Sequence, residues 1–241
     1  MDKTINTPIE IKECLRDEVL PELRQKEQYF SQKQIRDCLS ERKIKFKPAT
    51  LNRYLVDFVN DGMIFKAGRS WFSSIGTPFV LDVEPVREII GLLTKGFPAL
   101  EFSCWSTEQV KSYSQHMMNR FVSFAFGPRD AMRPIYETLR DSGWNAYLNP
   151  NQKEVKNLFE ITERTVVVRP RITKEPADQH FATIEKILVD FWLEARDLQI
   201  TDDSECRKIC LNVTVAGRIS MSSLQAYAER RKLKLEALFP K

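Results

Sequence analysis

Along residues 29–75 the apolar positions change period twice. Ser31 followed by Gln34 forms a capping box, and Ile35, Cys38 and Leu39 then recur at helical spacing as far as about Arg42. A tight basic turn holding Lys45 and Lys47 follows. Pro48 suits the first turn of a second helix, which the pattern carries to about Asp61 with Leu51, Leu55, Phe58 and Val59 as its apolar stripe. Gly62 stands where a left-handed C-terminal cap belongs. Met63 to Lys66 and Trp71 to Ser73 read as two strands joined by the turn Ala67-Gly68-Arg69-Ser70. Two short helices, a turn and a two-stranded ribbon are the local signature of a winged helix-turn-helix. Upstream, Thr7-Pro8-Ile9-Glu10 opens an extra helix carrying Ile11, Leu15 and Val19, which Pro21 is expected to kink or end.

Between Ser74 and Pro85 the residues Gly76, Pro78 and Pro85 interrupt any regular period. Beyond them strand-like and helix-like segments alternate. Strands are predicted at Leu100 to Trp105, Phe121 to Phe126, Asn145 to Leu148 and Thr165 to Arg169. Helices are predicted after a Ser106 or Thr107 cap, from Pro128 to about Ser142, and over Thr183 to Trp192. A helical tail follows through Leu224, Tyr227, Ala228 and Leu235. The expected fold class is therefore α/β (α+β): a winged helix-turn-helix with an extra N-terminal helix in residues 1–75, a linker at 76–85, and a larger mixed α/β domain with a helical C-terminal end in 86–241.

Charge sharpens the first half of this reading. Tyr29 to Ile75 hold nine basic and four acidic residues, an excess of five in a chain whose net charge is +4, so the remainder carries about −1. The polar face of the second helix presents Thr50, Asn52 and Arg53 near its N-terminus, beside Ala49 and Val56. Asn and Arg are the side chains that pair bidentately with adenine and guanine edges, and Thr50 suits a phosphate or a thymine methyl. Lys66 flanks the predicted wing and Arg69 sits at its tip. With Lys45 and Lys47, these residues form a candidate DNA-binding set, and double-stranded operator DNA is the expected partner.

Candidate chemistry elsewhere is thin. The sequence has no Gly-rich phosphate loop and no nucleophile elbow, so no catalytic residue and no cofactor is expected. Cys206 and Cys210 share a helix face, but the five cysteines are scattered and only His116 and His180 accompany them, which leaves no complete metal-ligand set. Glu185, Lys186 and Asp190 invite comparison with a nuclease centre. Capping, solvated charge and core packing account for them more simply. The basic runs Arg164, Arg169, Arg171, Lys174 and Arg230, Arg231, Lys232, Lys234 are either solvated faces or binding surfaces. No apolar run approaches the roughly 20 residues that span a bilayer, and MDKTINTPIEIKE lacks the apolar core of a secretory signal; the expected location is cytoplasmic, with no membrane partner.

The stretch YFSQKQI…PATLNRYLVDFVNDGMIFKAGRSWFSS, the CWST that follows it, Leu148-Asn149-Pro150 and the helix TIEKILVDFW together resemble the AbiEi-like antitoxins of type IV toxin–antitoxin (abortive infection) systems, over about Tyr29 to Arg231. The resemblance implies a small DNA-binding domain that represses its own operon, and a larger domain that counteracts a co-encoded nucleotidyltransferase toxin without requiring a stable complex. It places DNA contacts on the helix with Thr50, Asn52 and Arg53 and on the Arg69 wing tip, with a homodimer on palindromic DNA as a further possibility. The extra N-terminal helix departs from the family pattern and is expected either to pack on the winged helix or to support dimerisation. Two other readings stand beside this one: a protein-binding adaptor in a phage-defence complex, and a cryptic nuclease.

Overall fold

The computed structural model describes residues 8–115 and 120–239; the Thr7 cap and His116 lie outside them. The chain divides into two compact units. One comprises the residues up to Phe79 together with Val215–Ser223, the other Val80–Thr214 together with the residues from Leu224 onward.

The first unit opens with α1 (Pro8–Cys14), a π-helical turn (Leu15–Val19) and α2 (Leu20–Lys26). The helical path does not end at Pro21. Proline has no N–H to donate and its ring crowds the carbonyl of the preceding turn. The ladder widens just before it, where the Leu20 N–H bonds to the Leu15 carbonyl five residues back. Ile11, Leu15 and Val19 are buried as their spacing predicts, joined by Leu20 and Leu23.

β1 (Tyr29–Ser31), α3 (Gln32–Glu41), α4 (Pro48–Asn60), β2 (Phe65–Lys66) and β3 (Trp71–Ser73) follow. The Ser31 hydroxyl accepts the Gln34 N–H at 3.2 Å while the Gln34 side chain accepts the Ser31 N–H at 2.7 Å, so the predicted capping box is present in both directions. At the far end of α4 the Gly62 N–H donates to Val59 O and the Met63 N–H to Phe58 O. Gly62 takes φ +68°. This is the Schellman geometry that glycine permits without a Cβ penalty. The wing strands pair antiparallel and β1 adds a third strand, in the order β1-β3-β2, with Phe30 opposite Phe72. That third strand carried no separate signal in the sequence. A single core joins the extra helix to α3, α4 and the sheet, through Leu15, Leu20, Phe30, Ile35, Leu39 and Leu51. The extra helix therefore packs on the winged helix.

In the second unit α5 (Glu84–Gly96) leads to β4 (Ser103–Ser106), and Ser106 caps a 3₁₀ helix (Thr107–Tyr113) with a reciprocal Gln109 partner. Then come β5 (Val122–Gly127), α6 (Met132–Asp141), β6 (Asn145–Leu148), α7 (Gln152–Leu158), β7 (Thr165–Pro170), β8 (Ala177–Asp178) and β9 (Phe181–Ala182). The chain continues as α8 (Ile184–Asp197), α9 (Asp203–Ala216), α10 (Met221–Arg230) and α11 (Leu235–Leu238). The sheet order is β6-β7-β5-β4-β9-β8, with β6, β7 and β5 mutually parallel and β4 antiparallel to β5. All of β5 is buried, consistent with parallel strands covered on both faces.

The helix α8 is buried nearly all round, charges included. Lys186 and Asp190 have fully buried side chains 2.6 Å apart. Lys186 lies 3.1 Å from Glu175 and donates to the Tyr227 hydroxyl, while its ammonium sits 3.5 Å from the centre of the Phe126 ring. Arg169 donates twice to Glu194, and Arg231 approaches both Asp190 and Glu194. Three cations thus meet three carboxylates inside the unit. Lys186 and Asp190 are not solvated charge, as the sequence allowed. Arg169 and Arg231, taken from the two basic runs, face inward rather than toward a ligand.

Burying a charge is tolerated only when it is paired, and removing one partner leaves the others exposed to the desolvation cost. Lys186→Ala is therefore expected to destabilise the second unit by about 3–5 kcal/mol, read as an earlier urea transition. A variant as stable as the parent would show that the cluster is not a linked structural element.

Candidate nucleic-acid interface

The geometry of the site follows from which side of α4 is buried. Leu51, Tyr54, Leu55 and Phe58 face the core. The residues at i, i+3, i+4 and i+7 on the other side, Ala49, Asn52, Arg53 and Val56, are exposed, Val56 at 48%. Tyr54, which the predicted stripe did not include, is buried as well, and Val59 is half-buried against the same core. Lys45 and Lys47 are exposed in the turn that delivers α4, anchored between them and α3 by the buried Ile44. Thr50 is half-buried in the first turn. Lys66 and Arg69 are exposed on the wing. All seven predicted residues thus belong to the helix–turn–helix and its wing, six of them well exposed.

Electrostatically these cations lack the ion pairs that Lys12 and Arg42 make. Lys12 pairs with Asp57 at 2.9 Å, and Arg42 pairs with Glu22. Among the described residues Lys45, Lys47, Arg53, Lys66 and Arg69 have no carboxylate partner. Arg53 lies 5.4 Å from the centre of the Tyr54 ring, a contact that leaves its charge unneutralised. A cleft of about 430 Å³ runs between α4 and the wing, lined by Gln32, Asn52, Val56, Lys66, Arg69 and Phe72 among others. Two of its features had no sequence signal beyond position. Gln32, in the first turn of α3, donates its side-chain amide to Asn52 Oδ1, and its own N–H donates to the Ser70 carbonyl at 2.8 Å. Gln32 thereby ties the helix face to the wing turn.

Such a surface offers positive charge without internal neutralisation, an amide and a guanidinium at the tip of an exposed helix face, and a ribbon edge beside them. Its chemistry suits a polyanion with readable edges.

Elsewhere, among the described residues, no three His, Cys, Asp or Glu side chains come together in a way that would hold a metal ion. Cys206 and Cys210 are both buried on α9. Burial pushes the Cys206 thiol up to about 12 and pushes Cys210 and Cys104 upward as well, so all three stay protonated at neutral pH. His180 stacks on Phe102 with ring centres 3.9 Å apart, and its Nδ1 lies 3.0 Å from the Phe102 carbonyl. No helix among the described residues is long and apolar enough to cross a membrane. Alkylation of the folded protein should modify the half-buried Cys38 first and spare Cys104, Cys206 and Cys210 until the chain is unfolded. Early labelling of Cys206 or Cys210 would contradict the burial described here.

No curated protein matches the chain. From residue 50 to residue 238, a span that takes in nearly all of α4, the wing and the second unit, the sequence matches the family of unknown function DUF6577, and the chain belongs to that family.

Proposed function

We propose that the protein is a DNA-binding transcriptional regulator that reads operator DNA through α4 and its wing. We propose further, following the resemblance to AbiEi-like antitoxins, that it represses its own operon and neutralises a co-encoded nucleotidyltransferase toxin through the second unit. The observation that carries the DNA half is the set of exposed cations Lys45, Lys47, Arg53, Lys66 and Arg69, which have no carboxylate partner among the described residues and are grouped around the exposed Asn52. Arg53 stands on the open side of α4, where no core contact requires a guanidinium, and the lysines of the turn and the cations of the wing lie on exposed positions around it. The antitoxin half rests on the resemblance alone. In this reading the protein is not an enzyme. Lys186 and Asp190, whose side chains are 0% exposed, are held by each other and by Tyr227, out of reach of a phosphodiester.

One observation favours a second reading, a protein-binding winged helix: the exposed Val56 and the apolar floor of the cleft at Leu55 and Phe72. The two readings part at salt dependence, because phosphate contacts release counterions and apolar docking does not.

A footprinting titration on the DNA upstream of the gene, at two salt concentrations, tests the first reading. Arg53→Ala should cost about 1–3 kcal/mol at the cognate site and relax discrimination at one base pair. Lys66→Ala should weaken binding to every sequence alike and lower the salt slope by about one. Cognate binding by Arg53→Ala equal to the parent's would remove α4 from the role of recognition helix. In cells, co-expression with the neighbouring toxin should restore growth even when the Arg53→Ala chain is supplied, since neutralisation is assigned to the second unit; loss of rescue would place it on the DNA-binding face instead.

A further inference from the structure

The first unit is completed by a segment from far along the chain. Within Val215–Ser223, the Tyr29 hydroxyl donates to the Gly217 carbonyl at 2.9 Å and accepts the Ile219 N–H at 3.1 Å. Arg218 donates its N–H to Thr77 O at 2.8 Å and its guanidinium to Ile75 O at 3.0 Å, and lies over the Phe65 ring. These bonds strap the segment across the wing sheet. Its last residues then meet the wing turn itself. The Arg69 backbone N–H donates to Ser222 Oγ at 3.0 Å. Gly68 beside it has φ +102°, and a Cβ there would come within 2.0 Å of the same oxygen. The turn therefore combines a left-handed backbone with a contact that only glycine leaves room for, both directed at one hydroxyl.

We propose that Ser222 is a positioning residue for the DNA-binding wing. Its hydroxyl satisfies the Arg69 N–H and so fixes the backbone from which the exposed Arg69 guanidinium projects. A turn whose donor has no protein acceptor must be hydrated and samples several conformations; one whose donor is satisfied holds its side chain in a narrower range and loses less entropy on binding. A residue 153 positions downstream thus sets the geometry of a phosphate contact. The inference rests on the DNA-binding reading and assigns it a part that lies outside the helix–turn–helix.

The test uses the full chain with Ser222→Ala, Arg69→Ala, their double variant, and Ser223→Ala as a control, because Ser223 bonds to Ser220 and not to the wing. Ser222→Ala should accelerate hydrogen exchange at the Arg69 amide, weaken DNA binding alike for all sequences, and lower the salt slope toward that of Arg69→Ala. The double variant should bind no more weakly than Arg69→Ala alone, which is the non-additivity of two residues acting as one contact. Ser223→Ala should match the parent. Parent-like binding and salt slope for Ser222→Ala, in a chain that Arg69→Ala does weaken, would overturn the positioning role alone. Equal binding by the parent, Arg69→Ala and Arg53→Ala would overturn the DNA reading and the positioning role with it.

Discussion

A helix of 3.6 residues per turn that commits Leu51, Tyr54, Leu55 and Phe58 to the core has one face left, and in α4 that face is Ala49, Asn52, Arg53 and Val56. The placement of the candidate interface follows from this burial. The core that receives the α4 stripe also receives α3, the extra N-terminal helix and the wing sheet, so the turn carrying Lys45 and Lys47 and the ribbon carrying Lys66 and Arg69 are fixed relative to α4 by the same apolar contacts. At about 25 cal/mol per Å² of apolar surface, such burial is the dominant favourable contribution to the unit. The polar face contributes little to stability, which leaves its composition free to serve recognition.

The second unit solves a different problem. Its helix α8 carries Lys186, Asp190 and Glu194 into the interior, where each charge needs a partner. The partners come from β7 (Arg169), from the loop after it (Glu175) and from the C-terminal helical region (Tyr227 and Arg231). Burial nonetheless pushes the Glu194 carboxyl upward, against the pull of Arg169 and Arg231. Such a network specifies which elements must meet more than it adds net stability. Its charges face one another, while Arg53 on the open face of α4 has no carboxylate partner among the described residues.

Local chemistry was legible in the sequence and long-range chemistry was not. The Ser31–Gln34 capping box, Pro48 in the first turn of α4, the Gly62 cap and the wing turn each depend on residues within a few positions of one another, and each stands where the pattern put it. The mixed α/β class followed from alternating strand and helix periods in the same way. By contrast, Arg169 and Arg231 read as parts of basic runs, because the carboxylates that bury them lie 25 and more residues away. Pro21 read as a kink or a stop, because the π-helical turn that accommodates it has no residue signature. The tie from Gln32 to Asn52 and the hydroxyl of Ser222 at the wing were invisible for the same reason: both depend on which segments the fold brings together.

The most direct test of the α4 and wing assignment is amide and side-chain chemical-shift mapping of the full chain with duplex DNA from upstream of its gene. Salt-reversible shifts are expected, concentrated at Asn52, Arg53 and Val56 on α4 and at Lys66 and Arg69 on the wing. Resonances of these residues that stay in place, while the duplex shifts others or none, would contradict that assignment.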